Sequence, residues 1–214
     1  MLRGGGRSAH PADVPRQVVC ILDAKRGDIG STAERYAEGL FGHLDADAVT
    51  LSPYLGEDAI EPFLGYDGRI AYVLARTSNP SAARLQEREV AGEPLHVVVA
   101  RWVADRWPDG RVGIVVGATA PEELVRLRAI VPALPFLVPG VGTQGGDLAT
   151  AVRTAAGEHG PGLVSISRVI AEASAGDDWA AAAREAARTY RGRMADAVLH
   201  STASAAHSAD SGGS

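Results

Sequence analysis

Short apolar runs that alternate with longer amphipathic ones predict an α/β fold on a parallel sheet, either open and doubly wound or closed as a barrel. Two further observations agree. The short runs are rich in Val, Ile and Leu, as strands covered on both faces should be. Aromatic residues make up only 5% of the 214 residues, so the core must be built from Ala, Val, Leu and Ile.

The predicted strands are Gln17–Asp23, Ala46–Leu51, Arg69–Ala75, Arg111–Val116, Leu134–Val138 and Leu163–Ser167. Helices are expected between them. Thr32–Leu44 places Ala33, Tyr36, Ala37, Leu40, Phe41 and Leu44 on one face. Leu95–Trp107, Pro121–Ile130 and Asp147–Glu158 follow, and the Ala-rich Asp178–Met194 closes the ordered part. Pro121 suits a first helical turn, with Thr119 as its expected N-cap. Residues 1–16, rich in Gly, Arg, Ser and Pro, read as a disordered lead-in, and 196–214 as a disordered tail around a single domain over 17–195.

Composition narrows the partners. A net charge of −5 supplies no basic field for nucleic acid. No apolar run is long enough to cross a membrane, and the opening lacks the apolar core of a signal peptide. One cysteine, Cys20, rules out a disulfide within the chain and fits the cytoplasm. His43 and His96 read as surface or packing residues rather than metal ligands, Trp102 and Trp107 as helix packing, and Arg126 and Arg128 as a solvated helix face.

Four strings carry chemistry. The sharpest is DAKRGDIGST, from Asp23 through Lys25, Asp28 and Ile29 to Thr32, where a strand gives way to a helix. Side chains two apart on a strand point the same way, so Asp23 and Lys25 project together from its C-terminal end. A lysine among carboxylates stays charged, ready to donate a proton. The competing reading is a surface ion-pair turn with Ser31 or Thr32 as N-cap. The second string, PGVGTQGGD, runs from Pro139 through Gln144 and Gly145 to Asp147; a Gly-rich loop that opens a helix suits an anion. The third is Ser167-Arg168-Val169, whose arginine can fork onto a phosphate. The fourth, Arg76-Thr77-Ser78-Asn79-Pro80, read alone, is a turn.

Together, and in the order in which they occur along the chain, the four strings resemble the orotidine 5′-phosphate decarboxylases, most closely the bacterial branch with DAKRGDIG. The resemblance runs from about Val18 to Arg188. It implies a TIM (β/α) barrel, no metal or organic cofactor, orotidine 5′-phosphate as substrate, and a homodimer with shared active sites. Asp23 is then expected to crowd the substrate carboxylate and Lys25 to protonate C6. Asp28, Ile29 and Thr32 are expected to serve the partner subunit's site. Ser78 would read the pyrimidine edge, and Gln144 would fold over phosphate and pyrimidine. Pro139, Gly145, Ser167 and Arg168 are expected at the phosphate. Val169 departs from the Gly usual in this branch and is expected to tighten its loop.

The family barrel has eight β-α units, against about six here, so the barrel is expected to be incomplete. The units with no counterpart are the first two, which carry a ribose-binding Asp and the first Lys of the charged cluster; a start codon assigned too late is the favoured explanation. Two other functions compete: a non-catalytic nucleotide-binding remnant, and a Mg²⁺-dependent sugar-phosphate decarboxylase relative.

Overall fold

All six predicted strands form, in a computed structural model that describes residues 18–157 and 160–210, with side chains described through Leu199. The chain divides into two compact units, 1–74 and 75–214. The expected lead-in, 1–16, lies outside the described residues.

In the first unit, β1 (Ile21–Arg26), β2 (Ala48–Leu51) and β3 (Ile70–Arg76, ending just past the boundary) pair in parallel. The strand predicted over Gln17–Asp23 therefore sits further along the chain, and its first residue lies outside the described ones. Every residue of β2 is buried, as a strand covered on both faces requires. Cys20 precedes β1 and is half-buried. Its N–H donates to Asp47 Oδ2 at 2.8 Å, and Arg69 holds the other Asp47 oxygen at 3.2 Å.

The helix predicted over Thr32–Leu44 splits into α1 (Gly30–Ala37) and a π-helical turn over Glu38–His43. In that wide turn the Leu44 N–H reaches back to Gly39 O at 3.0 Å. Gly39 and Gly42 weaken regular helix there, and packing decides the outcome. Phe41 turns inward, edge-on to Phe63 at 6.0 Å and tilted to Tyr66 at 5.5 Å.

In the second unit, β4 (Val112–Val116), β5 (Phe136–Val138) and β6 (Gly162–Val164) also pair in parallel. The longer helices are α2 (Leu95–Arg106), α3 (Pro121–Ile130), α4 (Leu148–Ala155) and α5 (Trp179–Asp210). The bounds of α3 match the prediction, but its cap does not. Ala120 is the N-cap residue, and the Thr119 hydroxyl instead donates to Ser78 O at 3.3 Å. Trp102 and Trp107 pack edge to face at 5.3 Å.

Two more expectations change. The α5 helix runs on to Asp210, through residues expected to fray from 196; the stretch 193–210 is Ala-rich and has neither Gly nor Pro to stop it. Residues 211–214 lie outside the described ones. Arg128 is not part of a solvated face. Its guanidinium is drawn inward onto backbone carbonyls and the Phe136 ring, whereas Arg126 is exposed.

Asp147 begins α4 as a true N-cap, accepting from the Thr150 N–H at 2.7 Å. That bond holds its carboxyl below the ordinary range. A depressed carboxylate stabilises the fold above its ordinary pKa, and that stabilisation is lost as pH falls through the lowered one. Asp147→Ala should cost about 1 kcal/mol in urea unfolding at neutral pH. The difference from the parent should shrink in acid; an equal loss at acid and neutral pH would contradict the cap assignment.

Candidate active site

The first unit holds the charged string on a distorted strand. β1 and β2 pair regularly at Ile21↔Ala48 and Leu22↔Val49, but the next partners are Arg26↔Leu51. Four steps along β1 thus face two along β2, and Asp23, Ala24 and Lys25 bulge from the ladder. Lys25 adopts φ +46, the left-handed region that side chains other than Gly seldom enter. Bulges re-aim side chains beside functional sites. The expected Asp23–Lys25 juxtaposition is present, with Lys25 Nζ donating to Asp23 Oδ2 in an ion pair. Its cause is this bulge and not the plain alternation of a strand.

Sequence reasoning missed the third member. Thr50, on β2, is 1% exposed. Its hydroxyl donates to Asp23 Oδ1 at 2.8 Å and accepts the Lys25 N–H at 3.0 Å. The only clue was a hydroxyl within an apolar strand run. Burial pushes the Asp23 carboxyl up, but the hydrogen bonds from Lys25 and Thr50, with the Lys25 charge, outweigh it and hold the group below its ordinary range.

The rest of the string stands apart from this pair. Asp28 accepts from the Ile29 N–H at 2.9 Å. Ile29 is 53% exposed and occupies the N-cap position of α1 with no side-chain cap bond. Ser31 and Thr32 lie within α1 as exposed residues, so neither caps it.

The second unit gathers the other three strings. Ser78 Oγ donates to Gln144 Oε1 at 3.2 Å, joining the TSNP and glycine-rich segments. Ser78 rests against Gly117, just after β4, where a Cβ would fall 2.9 Å from the Ser78 nitrogen, so only Gly allows this approach. Gln86 fixes the preceding residue from outside, accepting the Thr77 N–H and donating to Thr77 Oγ1, each at 2.9 Å. His96, 2% exposed, meets the Gln86 carbonyl through Nδ1 at 2.8 Å, a packing role as expected.

The loop after β5 is tightly wound. Pro139 O accepts from the Ala118 N–H at 2.8 Å, and the Gly145 N–H donates to Gly142 O at 2.8 Å. Gly142 has φ +90, and a Cβ there would lie 2.7 Å from Val169 Cγ2. Val169 thus packs directly against the loop at Gly142. Ser167 Oγ lies 3.4 Å from Ser165 Oγ, and Arg168 opens a short helical turn, exposed and with no carboxylate partner among the described residues. A free guanidinium beside a Gly-rich loop is suited to a phosphate.

Comparisons with known proteins follow the same line. The family model described as "Orotidine 5′-phosphate decarboxylase / HUMPS family" matches residues 15–208. The chain is 50% identical over 195 residues to the orotidine 5′-phosphate decarboxylase of Delftia acidovorans, covering 89% of this chain and 71% of that one. It is 52% identical over 187 residues to the same-named protein of Paracidovorax citrulli, covering 85% and 68%. Among solved structures, the OMP decarboxylase of Leishmania donovani superposes with a TM-score of 0.72 at 38% identity, covering 86% of this chain and 71% of that one. The UMP synthase of the same organism gives 0.73 at 39% identity, with 86% and 41% covered. These likenesses bear out the (β/α)-barrel fold class, with six parallel strands among the described residues.

Proposed function

The chain belongs to the orotidine 5′-phosphate decarboxylase / HUMPS family, and from that premise we propose that it converts orotidine 5′-phosphate to uridine 5′-phosphate in pyrimidine synthesis, without a metal or organic cofactor. The observation that carries this reading is the Lys25 ammonium held against the Asp23 carboxylate on the β1 bulge.

The chemistry needs such a pair. The bond from C6 to the carboxyl carbon breaks, carbon dioxide leaves, and the electron pair stays on C6 in a vinylic carbanion with little resonance help. A fixed ammonium stabilises that charge as it develops, which lowers the barrier more than it tightens binding. The proton then moves from Lys25 Nζ to C6, and the amine regains one from solvent. Asp23 sets its negative charge beside the substrate carboxylate and holds the ammonium in place.

In the same reading, Ser78 reads the pyrimidine edge, and its bond to Gln144 ties that contact to the phosphate loop. Pro139, Gly145, Ser167 and Arg168 hold the 5′-phosphate. Asp28, Ile29 and Thr32 serve a partner subunit's site in a homodimer, a role that suits the exposure of the apolar Ile29. Residues 17–195 form the catalytic domain of a cytoplasmic enzyme. Among the described residues no helix is long and apolar enough to cross a membrane.

The test is loss of pyrimidine absorbance when the purified chain meets orotidine 5′-phosphate in the presence of EDTA. Turnover is expected. No turnover, or turnover that EDTA abolishes, would overturn the proposal.

A further inference from the structure

Thr50 lies on the fully buried β2, between Val49 and Leu51, each 0% exposed. A valine would fill this position as well by shape and would bury no hydroxyl. A buried hydroxyl is costly unless it is bonded, so what it bonds to matters. Lys25 N–H is a donor, so the hydroxyl meets it with a lone pair; its one hydrogen therefore goes to Asp23 Oδ1. This division engages both Asp23 oxygens separately, Oδ1 by Thr50 and Oδ2 by the Lys25 ammonium. The carboxylate cannot turn without breaking one of the two bonds. The same hydroxyl gives Lys25 N–H a partner inside the bulge, where the β1–β2 ladder is interrupted, and so holds the φ +46 backbone from which the ammonium projects. Thr, branched at Cβ, is itself stiff about χ1.

We propose that Thr50 is a positioning residue for decarboxylation, its buried hydroxyl locking the Asp23 carboxylate and the Lys25 backbone into one rigid catalytic bulge. The inference rests on the decarboxylase reading above, and on geometry within the first unit alone. Among the described residues, the groups that face Asp23 are the Lys25 ammonium from β1 and the Thr50 hydroxyl from β2.

The experiment compares the full chain with Thr50→Val, which keeps the shape and loses the hydroxyl, and Thr50→Ser, which keeps the hydroxyl. Three readouts are taken: the Asp23 carboxyl titration by carbon NMR, the exchange rate of the Lys25 amide proton, and kcat and KM for orotidine 5′-phosphate. In Thr50→Val the Asp23 titration should move up toward the ordinary carboxylate range and the Lys25 amide should exchange faster. Its kcat should fall by about 10- to 100-fold with KM little changed, as misplacement of a reacting group predicts. Thr50→Ser should restore all three, which a purely packing role for the methyl group would not allow. If Thr50→Val does not fold, Thr50→Ala replaces it with the same expectations. An Asp23 titration and a Lys25 exchange rate unmoved by loss of the hydroxyl overturn the inference, as does a kcat unmoved in an active chain. Should the parent chain show no turnover, the decarboxylase reading fails, while the titration and exchange still decide whether Thr50 locks the bulge.

Discussion

Lys25→Ala should remove decarboxylation while leaving the fold in place. Two contributions disappear together. The ammonium no longer stabilises charge developing at C6, and no proton donor stands ready for the carbanion. Loss of a preorganised charge typically costs about 10²–10³ in rate and loss of a general acid about 10²–10⁴, so kcat/KM should fall by at least about 10⁴-fold. Stability should change little, because the Lys25 and Asp23 side chains are 51% and 66% exposed and such pairs contribute roughly 0–1 kcal/mol. The backbone strain at φ +46 is common to Lys and Ala and does not distinguish them. Absorbance assays at high enzyme concentration, with thermal unfolding of both proteins, check the two halves. Residual turnover within about tenfold of the parent would remove Lys25 from the reacting centre.

The pH dependence follows from Asp23. Its carboxyl is held below the ordinary range in the folded chain, so the Asp23–Lys25 pair is fully formed above the ordinary carboxylate pKa. The pair is lost as pH falls through the lowered value. Removing the ammonium takes away a hydrogen bond and a charge that lower this pKa, so in Lys25→Ala the Asp23 titration should move upward.

Where sequence patterns read the molecule well, the deciding forces were local. Pro121–Ile130 has a proline in its first turn and buries Leu124 and Leu127, three residues apart, and its bounds agree with the structure. DAKRGDIGST located the charged pair because a strand end and a turn are local features. The bulge was not legible, since it depends on which β2 residues face β1, and neither strand states its register alone. Thr50 was hidden for the same reason: a strand threonine looks ordinary until a partner 27 residues away is known. The π-helical turn likewise depends on Phe63 and Tyr66, well beyond the helix they reshape. Arg128 was misread because burial by backbone carbonyls leaves no mark in the periodicity of side chains.

Arg128 carries the largest expected effect on stability. From α3 its guanidinium donates to Leu134 O at 2.8 Å, Thr154 O at 3.0 Å, Pro132 O at 3.1 Å and Ala155 O at 3.2 Å. It also lies 3.7 Å above the Phe136 ring. Thr154 and Ala155 end α4, so two of these acceptors belong to the last turn of that helix, where a cation is favourable. Burial pushes the guanidinium down to about 10, which still leaves it charged at neutral pH. One side chain therefore ties α3 to the end of α4 and to the turn entering β5. Arg128→Met fills similar space but leaves carbonyls, three of them part-buried, without this donor and gives up the cation–π contact. Charged hydrogen bonds at about 1.5–3 kcal/mol each, less the relieved desolvation, suggest a net loss of roughly 3 kcal/mol. For a chain of this length that is a fall in Tm of roughly 6–12 °C. Arg128→Lys keeps the charge without the fork and should recover less than half of the loss. Thermal and urea unfolding of the three proteins decide the matter, and a Tm within about 1 °C of the parent for Arg128→Met would refute the clip. Activity gives the complementary check. Gln144 and Gly145 precede α4 at its opposite end, about 12 Å along the helix from Ala155. Well below its lowered Tm, Arg128→Met should therefore keep the parent's kcat, separating a residue that holds the fold from those that hold the substrate.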